Sequence, residues 1–336
     1  MSHSNSSLNC FANCMAKYEQ NYILHNQPSK VSPHFIFGTM AHEVLYNAGK
    51  LRDDAADGVV NKDDYYQVIP SEVLYHDLKD EFKIDSWQQY FVPIIKECAK
   101  YEKELVNKLL ETGESVQIGR ELKLQLTVDQ LKELGYNKIT QPLVGIIDCL
   151  IYTKTSAIIL DYKFSTTRKT QDDFDMNSQL PLYAFMIHTL YDIPLHNIQY
   201  GYIDIPKQMF GKPTLLSNGT LSRAKSQNVS QEMYEKSVIA VHGDDSYYNC
   251  EPGGYYYDCW CSLALNKPAY LSLQYLDMDT YTNVIKDLMN AATMIDFMIA
   301  NKMPFLRKYD AYTCKSCEYI NYCKSWLYVN FDTEEA

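Results

Sequence analysis

The stretch that decides the fold is Gly145-Ile146-Ile147-Asp148, followed after twelve intervening residues by Asp161-Tyr162-Lys163. Each motif lies in an apolar run rich in β-branched residues, Pro142 to Thr153 and Ala157 to Phe164, which is typical of a strand. The short link between the runs, Lys154-Thr155-Ser156, predicts that the two strands form an antiparallel hairpin.

The hairpin predicts a chemical site. Side chains alternate between the two faces of a strand, so Asp161 and Lys163 project from one face, and Asp148 on the neighbouring strand can converge with them. Hard oxygen ligands of this kind suit Mg²⁺ or Mn²⁺. A metal held by carboxylates beside a lysine can hydrolyse a phosphodiester, because it activates the nucleophile and neutralises the developing charge. An isolated Asp-x-Lys pair is more often an ion pair at a strand end, so the surrounding residues decide between the two interpretations.

The rest of the chain predicts helices on both sides of this hairpin. Periodicity predicts helices at Leu8 to Leu24, Gly38 to Lys50, Asp85 to Leu110, Asn177 to Tyr191, Ser230 to Val241 and Asp279 to Lys302. It predicts further strands at Val116 to Val128, with Leu122, Leu124 and Leu126 on one face, and at Ile198 to Ile205. We therefore expect an α/β protein with a helical region over 1–114, a core over 115–205, an insertion lobe over 206–268, and a terminal helix with a cysteine cluster over 269–336.

Three motifs in this order, Gly-x-x-Asp, Asp-Tyr-Lys and Gln179-Leu180-Pro181-Leu182-Tyr183, resemble the RecB-like branch of the PD-(D/E)XK nuclease superfamily. Gly38 to His42 resembles the upstream Gly-x-x-x-His helix of that branch, and Ser6 to Glu19 resembles its N-terminal segment. The resemblance implies a restriction-endonuclease-like core with a mixed sheet flanked by helices. It also implies Mg²⁺- or Mn²⁺-dependent hydrolysis of DNA, for which we expect exonuclease action in DNA processing, recombination or repair, encoded by a phage or mobile element.

The same resemblance implies roles for individual residues. Asp148, Asp161 and Lys163 would be catalytic. The metal ligands would be His42, Asp148, Asp161 and the carbonyl of Tyr162, with Glu121 as a secondary acidic residue. Gln179 and Tyr183, one helical turn apart, would position the DNA strand. The sequence departs from the pattern twice: Asp161 stands where many members have Glu, and Cys14-Met15 stands where the branch has Cys-Pro.

Cysteines near the two ends of the chain predict a second metal centre. Cys314, Cys317 and Cys323 have the spacing of thiolates that hold an iron–sulfur cluster or zinc, and a fourth ligand must come from elsewhere. The arrangement resembles the iron–sulfur nucleases typified by AddB and the CRISPR-adaptation nucleases. That resemblance implies a [4Fe–4S] cluster that joins the chain ends, with Cys14 as the fourth ligand and Cys10 as its substitute. Zinc and unligated cysteines stay open as alternatives.

The segment between Pro206 and Pro268 offers two weaker features. Its aromatic residues could stack unpaired bases, although packing of the lobe is favoured: Tyr247, Tyr248, Tyr255, Tyr256, Tyr257 and Trp260. The stretch from Gly211 to Lys225 could be a loop that faces DNA, with packing or solvation again favoured. In a strand, Cys259 and Cys261 would share one face.

Charge and composition limit the possible partners. The net charge of −11 argues against a general polyanion-binding surface, so DNA contact would need a local basic groove, for which Lys163, Arg168 and Lys169 are one candidate cluster. Without a signal-like N-terminus or a long apolar run, we expect a cytoplasmic protein that does not contact a membrane. The phosphate-binding Gly-Lys-Ser/Thr loop is absent from the sequence, so this chain should not use ATP, although a helicase, recombination or integrase partner could act with it.

Alternative functions stay open. A CRISPR-adaptation nuclease that trims spacer precursors would have the same motifs. A non-catalytic DNA-binding subunit would keep the fold and the cluster, although the complete set of Asp148, Asp161 and Lys163 argues against it. A zinc-dependent adaptor would depend on the terminal cysteines alone.

Overall fold

A computed structural model describes residues 1–29, 32–55, 64–69, 78–82, 84, 86–165, 169–207, 213–225, 227, 229–243, 246–308 and 310–323. Its centre is a mixed five-stranded sheet with the strands in chain order. The strands are β1 Gln117–Leu126, β2 Leu143–Tyr152, β3 Ala157–Ser165, β4 Ile198–Pro206 and β5 Tyr270–Tyr275. β1, β2 and β3 are successively antiparallel, β3 and β4 are parallel, and β5 is antiparallel to β4.

The predicted hairpin between β2 and β3 is confirmed. Cys149 pairs with Leu160 and Tyr152 with Ala157 in an antiparallel ladder. The buried Thr153 closes the turn, because its hydroxyl oxygen accepts hydrogen bonds from the backbone N–H groups of Thr155 and Ser156 at 3.2 and 3.1 Å.

Strand β5 was not predicted. It lies in the stretch assigned to the terminal helix and cysteine cluster, where Leu271 and Leu273 alternate with the polar Ser272 and Gln274. The strand is six residues long and no residue in it is fully buried, so its alternation is brief and weakly apolar. Its identity as a strand depends on the pairing partner that β4 supplies.

Helices cover both faces of the sheet. A short helical stretch lies at 78–82. The other α-helices of the described chain are α1 Asn5–Asn13, α2 Met15–Tyr18, α3 Pro33–Asp54, α4 Trp87–Leu110, α5 Val128–Glu133, α6 Gln171–Asp175, α7 Gln179–Tyr191, α8 Gln231–His242, α9 Tyr257–Leu263, α10 Met278–Ala300 and α11 Ala311–Lys315. α1, α7 and α10 share one apolar core with one face of the sheet. α3 and α4 share a second core with the other face. This layered arrangement confirms the predicted α/β class with a mixed sheet flanked by helices.

The predicted first helix, Leu8 to Leu24, is wrong as a single helix. It breaks at Cys14, whose backbone is extended (φ −161°, ψ 108°), and after the short α2 it continues as a π-helical turn, Glu19–Ile23. The break has a tertiary cause, because the N–H of Ala16 donates to the carbonyl of Leu306 at 3.0 Å instead of to a carbonyl within a continuous helix.

The segment between β4 and β5 has its own small core. Leu221, Tyr234, Val238 and Tyr256 are among its buried residues. Tyr248 and Trp260 pack against this core and Tyr256 is buried in it, which favours packing over base stacking for these three aromatic residues. Tyr247 and Tyr255 remain 62% and 37% exposed.

The strand expectation for Cys259 and Cys261 is wrong, because both lie in α9. Residues two apart on a helix face different directions, and accordingly Cys259 is buried while Cys261 is exposed.

Some predictions fall on residues outside the described part of the chain. These include Arg168 of the candidate basic cluster, and Gly211 and Lys212 at the start of the suggested loop. Of the helices that are described, none combines the length and apolar composition of a membrane-spanning segment.

Candidate active site

The side-chain alternation of β1 and that of β2 both shift from one face of the sheet to the other, and they do so at neighbouring positions. Arg120 and its pairing partner Cys149 face the core of α3 and α4, whereas the next pair, Leu122 and Ile147, packs on the core of α7. Glu121 lies between these pairs with a left-handed backbone (φ 44°), opposite Asp148. A left-handed residue interrupts the regular alternation of a strand, and this places the two carboxylates where the strands switch faces.

Asp148 fixes the geometry between β2 and β3. Beyond the pair of Cys149 with Leu160, one carboxylate oxygen of Asp148 accepts a hydrogen bond from the backbone N–H of Tyr162 at 2.7 Å. The side chain of Asp148 thus links β2 to β3 at this point, whereas backbone groups link the two strands elsewhere in the ladder. The other carboxylate oxygen points towards helix α3, where it lies 3.4 Å from Nδ1 of His42.

His42, Glu121 and Asp148 form a group that could hold a metal ion. Each offers one ligand atom, and these atoms all lie within 4.8 Å of one another. The Nδ1 atom of His42 is 4.0 Å from a carboxylate oxygen of Glu121. Burial of Met40, Ala41, Val44 and Leu45 on one side of α3 orients the helix so that His42 faces the middle of β1 and β2, where Glu121 and Asp148 lie.

Asp161 and Lys163 lie on one face of β3, and their charged groups are 2.6 Å apart. The Lys163 ammonium also donates to the side-chain oxygen of Gln179 at 3.2 Å, and the Gln179 amide donates to the hydroxyl of Tyr183 at 3.0 Å. The four polar groups therefore form one continuous line from the sheet to α7. Glu121, expected only as a secondary residue, lies in the metal-ligand group, whereas Asp161 pairs with Lys163.

The site is rich in negative charge, and the pKa shifts reflect it. Burial, followed by the charge of Asp148, raises the pKa of Glu121 and of Asp161, although Lys163 opposes the shift at Asp161. Burial works against protonation of His42, but its hydrogen bond to Asp148 and the surrounding carboxylates outweigh burial and raise its pKa. A divalent cation would relieve this repulsion, and the set of carboxylate and imidazole ligands fits Mn²⁺ or Mg²⁺.

Gly145, the first residue of the strand motif, has a packing role. A Cβ atom at this position would lie 2.8 Å from the ring of Tyr183 and 3.2 Å from the sulfur of Met186. The missing side chain thus allows α7 to approach β2 closely, which brings Tyr183 and Gln179 to the site.

Residues of α1, in the N-terminal motif, form hydrogen bonds to the residue that precedes α7. The side-chain amide of Asn9 donates to the hydroxyl of Ser178 at 2.8 Å, and this hydroxyl donates to Asn5 at 2.8 Å. Because Ser178 immediately precedes α7, α1 helps to orient the helix that carries Gln179. Asn5 and Ser178 were not predicted, since nothing local in the sequence pairs them.

The four cysteines predicted as cluster ligands line a single cavity: Cys14, Cys314, Cys317 and Cys323. In the described chain, however, no set of three cysteines brings its sulfur atoms within 4.8 Å of one another. Cys10, the suggested substitute, does not line the cavity, and burial raises its pKa to about 11. Burial also raises the pKa of Cys317.

The walls of this cavity join the two ends of the chain. Lys17 forms an ion pair with Glu318 at 2.9 Å, and the backbone N–H of Ser29 donates to the Glu318 carbonyl at 2.8 Å. Together with the bond from Ala16 to Leu306, these contacts hold the N-terminal helices against the C-terminal segment.

Comparison with known proteins identifies the family. No curated protein matches the chain at a significant level. The sequence does match the model of the PD-(D/E)XK nuclease superfamily over residues 2–324, nearly its whole length. This match agrees with the mixed sheet, the helical layers and the acidic metal-ligand group described above, and it confirms the superfamily that the motifs resemble. The chain therefore belongs to the PD-(D/E)XK nuclease superfamily, whose members are metal-dependent nucleases that hydrolyse phosphodiesters.

Proposed function

We propose that this protein is a Mg²⁺- or Mn²⁺-dependent deoxyribonuclease of the RecB-like branch, and that it acts as an exonuclease in DNA processing, recombination or repair. The observation that carries the proposal is the convergence of His42, Glu121 and Asp148 within 4.8 Å beside the ion pair of Asp161 and Lys163. A half-buried cluster with this excess of carboxylates, in which Asp161 is fully buried, is costly unless a cation balances it, which favours a functional site over an incidental group.

The proposed mechanism assigns a task to each group. His42, Glu121 and Asp148 would hold the metal, with Asp161 and the Tyr162 carbonyl as further ligands. When bound, the metal would polarise the phosphate and lower the pKa of a water molecule. The Lys163 ammonium, kept in place by Asp161 and Gln179, would stabilise the negative charge that develops on the phosphate, because it is already oriented before the reaction.

Gln179 and Tyr183 would position the DNA strand. They lie at the edge of the site on α7, and their hydrogen bond to each other fixes both polar groups beside Lys163. Deoxyribonucleic acid as the substrate is inferred from the family resemblance.

We further propose a [4Fe–4S] cluster in the terminal cavity, held by Cys14, Cys314, Cys317 and Cys323. Tetrahedral zinc with bonds of about 2.3 Å would bring thiolates to about 3.8 Å from one another, whereas a cluster of four irons holds its thiolates further apart. Four cysteines around one cavity, with no three sulfurs within 4.8 Å in the described chain, therefore favour the cluster over zinc.

The nuclease proposal is tested by digestion of end-labelled single- and double-stranded DNA with Mg²⁺ and with Mn²⁺. The Lys163→Ala variant should lose activity by at least about 10²-fold, because an oriented charge at the reacting group is removed. Lys132→Ala is the matched control, since Lys132 is exposed and pairs only with Asp129 in its own short helix. Equal cleavage by Lys163→Ala and the wild type would refute the mechanism. Binding of DNA without cleavage in either metal would favour the non-catalytic subunit.

A further inference from the structure

A buried polar network lies behind the proposed active site, on the opposite face of β3. Tyr162, between Asp161 and Lys163, directs its side chain into the core of α3 and α4. Its hydroxyl donates to one carboxylate oxygen of Glu102 at 2.8 Å, and Tyr162 and Glu102 are each 4% exposed.

Glu102 is the centre of this network. Its second carboxylate oxygen accepts hydrogen bonds from the guanidinium groups of Arg52 and Arg120, both at 2.8 Å. Arg120 also binds Asp53 through two nitrogens, at 2.8 and 3.0 Å. Burial alone would raise the pKa of Glu102, but the two arginines outweigh it and lower the pKa, so the carboxylate remains charged. The positive charges of Arg52 and Arg120 thus balance the negative charges of Glu102 and Asp53.

Four members of the network are adjacent to a proposed site residue or lie on the same element as one: Tyr162, Arg120, Arg52 and Asp53. Tyr162 lies between Asp161 and Lys163, and its own backbone N–H binds Asp148. Arg120 immediately precedes the left-handed Glu121. Arg52 and Asp53 lie on α3, the helix that carries His42. The network therefore connects β1, β3, α3 and α4, and it meets the site from behind at three separate points.

Stability alone does not account for such a network. A buried ion pair often contributes no net stability, because the loss of hydration offsets the attraction, and apolar residues of similar volume are frequently as stable. Its clear physical effect is on geometry, since each hydrogen bond allows one arrangement of the elements. A shift of the Tyr162 side chain would move the backbone N–H that holds Asp148 and the carbonyl proposed as a ligand.

We propose that Glu102 and the Tyr162 hydroxyl are positioning residues for the metal site: they set the separation of His42, Glu121 and Asp148 without contacting metal or DNA. This inference rests on the proposed nuclease function. It goes beyond that function because it assigns an effect on metal affinity to residues in the core of α3 and α4 that contact neither metal nor DNA.

The test compares Tyr162→Phe with Tyr101→Phe. Tyr101 is the neighbour of Glu102 on α4, is similarly buried, and donates its hydroxyl to the carbonyl of Ala269 at 3.1 Å, away from the site. Both variants lose one buried hydroxyl and keep the ring, so both should fold. The measurements are the urea unfolding midpoint of the metal-free proteins, the Kd for Mn²⁺ by calorimetric titration, and the cleavage rate.

Both variants should lose stability, Tyr162→Phe somewhat more because its hydroxyl donates to a charged carboxylate, since each leaves a buried acceptor without its donor. Only Tyr162→Phe should weaken Mn²⁺ binding, by about 10-fold, as expected when a group that orients metal ligands is removed. If Tyr162→Phe binds Mn²⁺ as Tyr101→Phe does, the inference is overturned while the proposed function stands. If the wild type neither binds Mn²⁺ nor cleaves DNA, the proposed function fails and the inference fails with it.

Discussion

At the scale of the residue, Glu121 combines a left-handed backbone with a place in the group that could hold a metal ion. It is one of four described residues other than glycine with positive φ, and it alone of these belongs to the metal-ligand group. A left-handed conformation at such a residue costs on the order of 1 kcal/mol or more and persists only where the surrounding structure imposes it. Here the flanking pairs, Arg120 with Cys149 and Leu122 with Ile147, impose it from both sides.

We expect Glu121→Gly to be more stable than Glu121→Ala by about 1 kcal/mol in urea unfolding. Both variants lose the carboxylate and its repulsion with Asp148, but only glycine relieves the left-handed backbone. The matched comparison is Lys123→Gly against Lys123→Ala, two residues further along β1 at an exposed position. There glycine should be the less stable of the two by about 0.5–1 kcal/mol. If the glycine and alanine variants have the same order of stability at position 121 as at position 123, the backbone strain at Glu121 is contradicted.

At the scale of the element, helix α3 carries both His42, the histidine proposed as a metal ligand, and part of the buried network. It runs further than the predicted Gly38 to Lys50, because Pro33 at its first position favours the start of a helix and the helix continues to Asp54. Gly49 explains how Arg120 reaches Glu102: a Cβ atom at Gly49 would lie 2.5 Å from Nε of Arg120. The side chain of Arg120 thus crosses the helix surface where the helix has no side chain.

We expect Gly49→Ala to destabilise the protein even though alanine favours a helix. The helix preference contributes about 1 kcal/mol in favour of alanine. Displacement of Arg120 would leave Glu102 with one cation fewer, and disruption of a buried ion pair costs about 3–5 kcal/mol, so the loss is larger. Gly38→Ala is the control, since no atom lies within 4 Å of a Cβ there. If Gly49→Ala and Gly38→Ala both unfold at a higher temperature than the wild type, the close approach of Arg120 to Gly49 is refuted.

At the scale of the whole molecule, the N-terminal segment is tied to the core. His3 lies 3.0 Å from a carboxylate oxygen of Asp296 in α10, and both side chains are buried. The other oxygen of Asp296 accepts from the backbone N–H of Thr140 at 2.6 Å, and the N–H of His3 donates to the Pro142 carbonyl at 2.8 Å. The N-terminus, the start of β2 and α10 therefore meet at one carboxylate.

This carboxylate predicts a loss of stability in acid. Burial opposes ionisation of Asp296, but its hydrogen bonds to His3 and to the Thr140 N–H outweigh burial and lower its pKa. A lowered pKa stabilises the folded protein above the ordinary Asp value of about 3.9, and this contribution is lost as the pH falls through the lower folded value. The difference in unfolding free energy between wild type and Asp296→Asn should therefore shrink below about pH 4. A difference that is constant from neutral pH to acid would contradict the lowered pKa.

The terminal cysteines predict a second effect at this scale. Cys14→Ser should lower the iron content of protein purified without oxygen and increase proteolysis near both chain ends, because the cluster would no longer join them. Cys10→Ser should keep its iron, since Cys10 does not line the cavity. Cys261→Ser, at an exposed position on α9, is the control for loss of a thiol. Equal iron in the Cys14 and Cys10 variants would refute Cys14 as the ligand, and zinc in the wild type would refute the cluster.

The sequence by itself determined four of the five strands, the hairpin, the long helices and the superfamily. These depend on local periodicity and composition, and on motifs such as Gly145 to Asp148 whose residues are close together in the chain. The acidic residues and Lys163 were also visible from the motifs.

Only the tertiary structure decided how those residues are arranged. The left-handed Glu121, the break at Cys14, strand β5, the Asp296 contact and the Glu102 network each depend on partners distant in sequence. Local preference alone gives no reason for an extended Cys14 or a left-handed glutamate. The reason is energetic: burial and hydrogen bonds formed between distant segments exceed the small conformational preferences that periodicity can detect.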